Sequence, residues 1–261
     1  MADGLPAEVF GHQGAALAAR GVWVPGRHPV VRRQSTDAAG PALVTAEAVR
    51  FRYPATTRDA LPTTDLTVRA GAATTLTGAN GTGKSTLALA IAGLLRPTDG
   101  EVRAEAPLDP PQPPRPMWQW PGRDLVTRVG TVFQDPEHQI VTSTVRDELT
   151  VGPLRAGASA AEASARAGDL LDRLGLAPLA AANPYTLSGG EKRRLSVATA
   201  IATSPRVIVA DEPTFGQDSR TWEQLVTLLA ELRDDGCGLL LVTHDEELVE
   251  ALADQRVVMS R

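Results

Sequence analysis

Gly78-Ala79-Asn80-Gly81-Thr82-Gly83-Lys84-Ser85 is the stretch on which the fold turns. It matches G-x-x-x-x-G-K-[ST], a loop whose glycines let the backbone curl until successive N–H groups converge on phosphate oxygens. Its flanks have the matching character. Residues 73–77 are β-prone, while residues 86–95 are apolar, rich in helix formers and stop near Pro97. That strand–loop–helix order puts the loop at a helix N-terminus, where the helix dipole also favours an anion. Lys84 would bring a compact charge to the β and γ phosphates of a nucleotide. Ser85 would offer a hydroxyl to Mg²⁺, and Thr86 completes the phosphate-facing set. The alternative, an ordinary glycine-rich turn before a helix, is disfavoured by the full match and its context.

Two further stretches extend the reading. Val207-Ile208-Val209-Ala210-Asp211-Glu212 is an apolar strand ending in two acids. In a nucleotide-binding sheet Asp211 would hold Mg²⁺ and Glu212 would act as general base toward water. Alone the pattern is weak, because strands often end at charged loops; after a phosphate loop it is strong. Leu187-Ser188-Gly189-Gly190-Glu191 carries a capping box, Ser188 with Glu191, so a helix should start there. Its paired glycines leave backbone N–H groups bare as a second anion site. A second capping box, Ser159 with Glu162, opens a helix whose Leu170, Leu171 and Leu174 share a face and which Gly175 closes.

The Leu187–Glu191 stretch resembles the LSGGQ signature of the ATP-binding cassette (ABC) ATPases, with Glu191 in place of the usual Gln. Other motifs follow in that family's order. Tyr53 resembles the aromatic residue that stacks on adenine, and Gln134 the glutamine that reaches Mg²⁺ and links to the membrane partner. Asp218 resembles the aspartate at the dimer interface, and His244 the switch histidine at the γ-phosphate. The resemblance covers residues ~43 to 259 and implies an α/β fold. Its parts are a P-loop NTPase core with a RecA-like parallel sheet, an antiparallel β subdomain and an inserted helical subdomain at roughly residues 137–187. The ATPase domain is then 42–261, after an extension at 1–41. Implied ligands are ATP and Mg²⁺. Glu212, His244 and Gln134 are the implied catalytic set, Ser85, Gln134 and Asp211 the metal set. Residues 78–86, Ser188, Gly189, Gly190, Tyr53 and Asp218 bind nucleotide.

Residues 132–139 (Val-Phe-Gln-Asp-Pro-Glu-His-Gln), then 144–149 and Gly152-Pro153, are similar to the ATPases of energy-coupling-factor importers of vitamins and transition-metal ions such as cobalt or nickel. That implies a second cassette, a transmembrane scaffold and a substrate-binding membrane protein as partners, with this chain peripheral on the cytoplasmic face of the membrane. Residues 2–10 resemble the tail of such a cassette, and residues 21–25 (Gly-Val-Trp-Val-Pro) the stretch joining two fused cassettes. The expectation is the second cassette of a tandem ATPase. Two alternatives stay open: a soluble cassette acting on nucleic acid or ribosomes, and a nucleotide-gated structural subunit without turnover.

Composition narrows these. Net charge is -5 over 261 residues, which disfavours a broad nucleic-acid face. A lone Cys237 excludes an internal disulfide and any cysteine-based zinc site. The longest apolar run, about residues 87–95, is far short of the ~20 residues of a membrane span. Asp3 and Glu8, without a basic leader, argue against a signal peptide. Twenty-four of the 26 basic residues are Arg; Lys84 and Lys192 are the two exceptions. Residues 106–121 hold seven prolines with Trp118 and Trp120 and read as an exposed loop of polyproline character. In the extension, a short helix is expected at residues 15–19.

Overall fold

The structure, a computed structural model, describes residues 5–25, 40–54, 56–108, 111–113 and 115–260. In chain order it begins with α1 (Pro6–Ala18), β1 (Ala42–Phe51), β2 (Leu61–Arg69), β3 (Ala73–Thr77), α2 (Lys84–Ile91) and β4 (Asp99–Ala104). Next come α3 (Gly122–Val126), β5 (Val129–Val132), α4 (Val145–Ala156), α5 (Ala160–Arg173) and α6 (Gly189–Ile201). The chain closes with β6 (Val207–Asp211), α7 (Ser219–Asp234), β7 (Gly238–Val242), α8 (Glu246–Leu252) and β8 (Gln255–Val258).

Five strands form a parallel sheet in the order β5-β6-β7-β3-β8. The central strands β6, β7 and β3 are buried at every position because both faces of the sheet are covered, and β6 and β7 are almost wholly apolar. Alternate side chains therefore feed two cores. Ile208, Ala210, Leu239 and Leu241 enter the one shared with α6 and α7. Val207, Val209, Leu240 and Val242 enter the other, with Leu87 and Ile91 of α2 and the inner residues of β1 and β2. The second sheet is antiparallel, in the order β2-β1-β4. This is the α/β architecture that the resemblance implied.

The capping boxes form as read. Ser159 N–H donates to Glu162 Oε2 at 2.8 Å while Glu162 N–H donates to Ser159 Oγ at 3.3 Å, and Leu170, Leu171 and Leu174 are buried. Gly175 follows with φ 64°, a left-handed conformation that suits glycine.

Two expectations are corrected. The proline-rich segment is exposed only in part: Gln112, Pro113, Arg115, Gln119 and Pro121 face solvent, but three of its large apolar side chains do not. Leu108, Met117 and Trp120 are at most 7% exposed and sit in the core beneath β1 and β4. The indole N–H of Trp120 donates to Arg115 O at 3.1 Å, and the Arg96 guanidinium lies 4.7 Å over the Trp118 ring. Proline lacks an N–H, so this irregular chain carries few donors that burial would leave unpaired. Its three large apolar side chains then drive it inward. Pro110 and Pro114 lie outside the described residues. In the extension the helix is α1, which starts nine residues before Ala15. Pro6 occupies its first turn, where a missing N–H costs nothing. Residues 2–4 of the tail resemblance lie outside the described residues.

Candidate active site

The sheet order assembles the site. The strands β3, β7, β6 and β5 are neighbours in space, so the loops leaving their C-terminal ends share one edge. Those loops carry residues 78–85 after β3, His244 after β7, Glu212 after β6 and Gln134 after β5. Together they line an open cleft of about 1310 Å³.

The loop after β3 works by glycine. A Cβ at Gly78 would lie 2.2 Å from Met259 O, and one at Gly83 2.6 Å from Ala60 O, so no side chain fits at either. Both have positive φ. Lys84 is buried, and its ammonium donates to Gly78 O at 2.8 Å and Ala79 O at 2.9 Å. A lysine ammonium has three protons, so a third remains for an anion in the loop. The Thr82 hydroxyl donates to Ala79 O at 2.9 Å and stiffens the turn.

The two acids after β6 are held differently. Burial raises the Asp211 carboxyl above the usual carboxylate range, against the pull of a Ser85 hydrogen bond and the charges of Arg193 and Lys84. Burial also raises Glu212, against the nearby His244. The Glu212 backbone is left-handed, with φ 51°, an uncommon state for a residue with a Cβ. Both its oxygens are engaged: Oε1 accepts from His244 N–H at 3.1 Å and Oε2 from the Thr243 hydroxyl at 3.3 Å. The His244 ring sits 3.2 Å from Asn80 Oδ1, joining this pair to the phosphate loop.

Opposite these loops, α6 presents its first turn to the cleft. Ser188 caps it in a box with Glu191. Gly189 and Gly190 line the cleft. The Gln217 side-chain amide donates to Gly190 O at 3.2 Å, which ties α6 to residues 214–218.

The chain matches the ABC transporter family over residues 61–215, more than half its length. The chain belongs to the ABC transporter family. A Bacillus subtilis protein named for HMP/thiamine import is 42% identical over 74% of this cassette, which spans 33% of that relative's length. A cobalt import ATP-binding protein of Rhodobacter capsulatus is 40% identical, over 84% of the cassette and 75% of the relative. An energy-coupling factor transporter ATP-binding protein of Methanocaldococcus jannaschii is 36% identical, over 83% and 75%. A dimeric ATP-binding cassette solved in a post-hydrolysis state with ADP and Pi superposes with a TM-score of 0.73 at 27% identity. The match covers 84% of this chain and 94% of that one.

Within the cassette the residues singled out from sequence divide into two groups. Tyr53, Asn80, Gly81, Gly83, Lys84, Ser85, Thr86, Gln134, Gly189, Gly190, Asp211, Glu212 and His244 line the cleft. Tyr53 stands at its mouth, half exposed, edge-on to Phe51. Gly78, Ala79, Thr82, Ser188 and Asp218 do not line it. The first three form the underside of the loop. Ser188 is a helix cap, and Asp218 caps α7 through Arg220 N–H and Thr221 N–H at 3.1 and 3.0 Å.

Sequence reasoning missed Arg193, read Glu148 only as part of the 144–149 motif, and gave His138 no role. Arg193 is 4% exposed and donates to Phe133 O at 2.6 Å, to Gln134 O and to Asp211 O at 3.4 Å. It ties the signature helix to the glutamine loop and the acidic strand. Glu148 is 2% exposed and accepts from Val141 N–H, Thr142 N–H and the Thr142 hydroxyl, fixing the chain just past that loop. His138 also lines the cleft. For the first two a signal existed. Each is a charge on a stripe otherwise apolar at helical spacing: Arg193 with Val197 and Ile201, Glu148 with Val145 and Leu149.

The donors fit a hard dication held partly by its substrate. The Ser85 hydroxyl, the Asp211 carboxylate and the Gln134 amide would each offer an oxygen, the donor type that Mg²⁺ takes. Among the described residues there is no group of three or more His, Cys, Asp or Glu that could cage a metal alone. Mg²⁺ commonly retains waters and phosphate oxygens, so it needs no such cage.

Proposed function

We propose that this chain is the ATP-hydrolysing subunit of an energy-coupling-factor importer, driving uptake of a vitamin or a transition-metal ion. Its partners are a second cassette, a transmembrane scaffold and a substrate-binding membrane protein, and it works at the cytoplasmic face of the membrane. The names of its relatives favour this over a nucleic-acid or ribosomal role. No helix among the described residues is long and apolar enough to cross a membrane.

The observation that carries the reading is Glu212. It is raised above the usual carboxylate range, held at both oxygens and aimed into a cleft floored by Lys84. A carboxylate more basic than usual suits proton abstraction near neutral pH. In hydrolysis a water oxygen bonds to the γ-phosphorus as its proton passes to Glu212, and the bond to the β–γ bridging oxygen breaks to leave ADP and phosphate. Lys84 and the amides of residues 79–85 hold the phosphates, Tyr53 stacks on the base, and His244 meets the γ-phosphate from the side of Asn80. Ser85, Asp211 and Gln134 would hold Mg²⁺, which supplies charge neutralisation at the phosphates.

The second cassette is supported by Gly189. It begins a helix, its φ is not positive, and a Cβ there would meet nothing within 4 Å among the described residues. Glycine is a poor helix former, costing about 1 kcal/mol against alanine in a helix interior. Nothing among the described residues calls for a glycine here, whereas nucleotide held by a second cassette against this cleft-lining turn would.

Changing Glu212 to Gln is the test. Turnover should fall at least ~100-fold, the size of a lost general base, while binding of a fluorescent ATP analogue stays within about twofold of wild type. Normal phosphate release from Glu212→Gln sinks the assignment.

A further inference from the structure

The segment between α1 and the second core has no place in the function so far. Residues 21–24 lie across the loop that precedes α7. Ser219 N–H donates to Gly21 O at 2.9 Å, and the Trp23 indole N–H donates to Gln217 O at 3.0 Å. Val24 is buried, and Trp23 stands edge-on to Trp222 with centroids 5.9 Å apart. Gly21 has φ 86°, and a Cβ there would come 2.6 Å from Asp218 Oδ1, so the approach is as close as glycine allows.

Both residues that Trp23 touches lead to the cleft. Gln217 is buried; its amide donates to Gly190 O at 3.2 Å and accepts from Arg194 at 3.3 Å. Trp222 donates its indole N–H to Asp245 Oδ2 at 2.7 Å, the carboxylate that also accepts from the Thr214 hydroxyl at 2.8 Å. Asp245 follows His244 directly and caps α8. The strap thus rests on one residue joined to the α6 glycines and on another joined to the switch histidine's neighbour.

We infer that residues 21–24 are a strap that sets the position of residues 214–219 and, through them, of the α6 glycine turn. Trp23 is a positioning residue for turnover, acting through Gln217 and Trp222, and Gly21 holds the strap against Asp218 and Ser219. The consequence for turnover rests on the proposed function; the strap itself does not. A loop held from outside the core presents a fixed surface to a second cassette, and small displacements at such a surface weaken catalysis without weakening ground-state binding.

The test uses the full chain with Trp23→Ala and Trp23→Phe. The second keeps a ring against Trp222 and removes the indole donor, so it remains informative if the alanine variant folds poorly. Two readouts are taken: steady-state ATP turnover, and amide hydrogen exchange over residues 214–221. Trp23→Ala should lower kcat about fivefold and Trp23→Phe about twofold, the range of one modest hydrogen bond. KM for ATP should stay within about twofold in both. Exchange over 214–221 should quicken in the same order. Unchanged kcat in both variants overturns the positioning role, and so does a KM that rises in proportion as kcat falls. If the wild-type chain hydrolyses no ATP, the proposed function fails; exchange still decides the strap, and identical rates in all three proteins overturn it.

Discussion

Two helices of this cassette begin with the same chemistry and do different things. At α5, Ser159 and Glu162 form a capping box; at α6, Ser188 and Glu191 form another, with matching bonds. The Glu N–H to Ser Oγ distances are 3.3 and 3.4 Å, and the Ser N–H to Glu Oε2 distances 2.8 and 2.7 Å. Between cap and box partner, α5 has Ala160-Ala161 and α6 has Gly189-Gly190. The first pair is exposed at the outer surface, and the second faces the nucleotide cleft. The cap decides that a helix starts. The two residues inside it decide whether the helix start is available to a ligand.

The comparison is broken or upheld most directly by exchanging those residues. Gly189→Ala should leave the melting temperature unchanged or slightly higher, since alanine is the better helix former by up to ~1 kcal/mol and finds open space within the chain. Turnover should nonetheless fall about 100-fold, the effect of blocking one donor at a developing charge. The reverse change in α5, Ala160→Gly, should lower stability by up to ~1 kcal/mol and spare turnover. Melting curves beside phosphate-release assays separate the two. Full turnover in Gly189→Ala would mean that α6 is an ordinary helix start.

The next test compares an arginine on each helix. Arg166 of α5 donates to Ile201 O at 2.9 Å, and Arg193 of α6 donates to the carbonyls of Phe133, Gln134 and Asp211. Burial lowers the pKa of both, so each guanidinium sits where charge is costly and is retained for its hydrogen bonds. Arg193→Gln should lower turnover about tenfold, because the glutamine loop and the acidic strand lose a common anchor. Arg166→Gln should cost about 1–3 kcal/mol of stability and leave turnover of the folded fraction near wild type. Equal losses of turnover would show that α6 has no special tie to the site.

How far sequence reached follows from the same contrast. The site edge was legible because its backbone demands glycine and its chemistry demands Lys84, Asp211 and Glu212 at fixed intervals, so local sequence carries the constraint. The parallel sheet was legible because β6 and β7 are apolar at consecutive positions. The roles of Arg193 and Glu148 were not read, because their partners are mostly backbone carbonyls and amides, which have no sequence identity, and the only signal was a charge on an otherwise apolar helical stripe. The proline-rich segment misled for a related reason. Proline density describes the backbone, whereas the outcome was set by where Leu108, Met117 and Trp120 could be buried. The strap at residues 21–24 depends on contacts nearly 200 residues away, which no local pattern encodes.

A smaller effect tests whether the two caps are equivalent as caps. Ser159→Ala and Ser188→Ala should each cost ~1 kcal/mol, which for a chain of this size is a fall of roughly 2–4 °C in melting temperature. Ser188→Ala should also reduce turnover, since it loosens the turn that presents Gly189 and Gly190. Ser159→Ala should not. A larger stability loss at Ser159 alone would mean that packing of the Leu170 face, rather than the cap, governs α5.

The smallest effect is in acid. Glu162 and Glu191 both have lowered pKa values, each chiefly through the hydrogen bond with its own serine. A carboxylate that binds its proton less readily when folded stabilises the fold above its unfolded value, near 4.5. That contribution is lost as pH falls through the lower folded value. Gln at either position can still accept from the serine N–H but does not titrate there. Urea midpoints measured from pH 6 to pH 3 should therefore decline less steeply below about pH 4.5 in Glu162→Gln and in Glu191→Gln than in the wild type. Above that pH the wild type should be the more stable, because a charged acceptor binds the serine donors more strongly than an amide. At neutral pH, Glu191→Gln should keep turnover within about twofold, because the cap and the bare glycines both survive the change. If only one of the two variants flattens the acid limb, the two boxes differ in more than the residues they enclose, and the glycine pair is no longer a sufficient account of why α6 faces nucleotide.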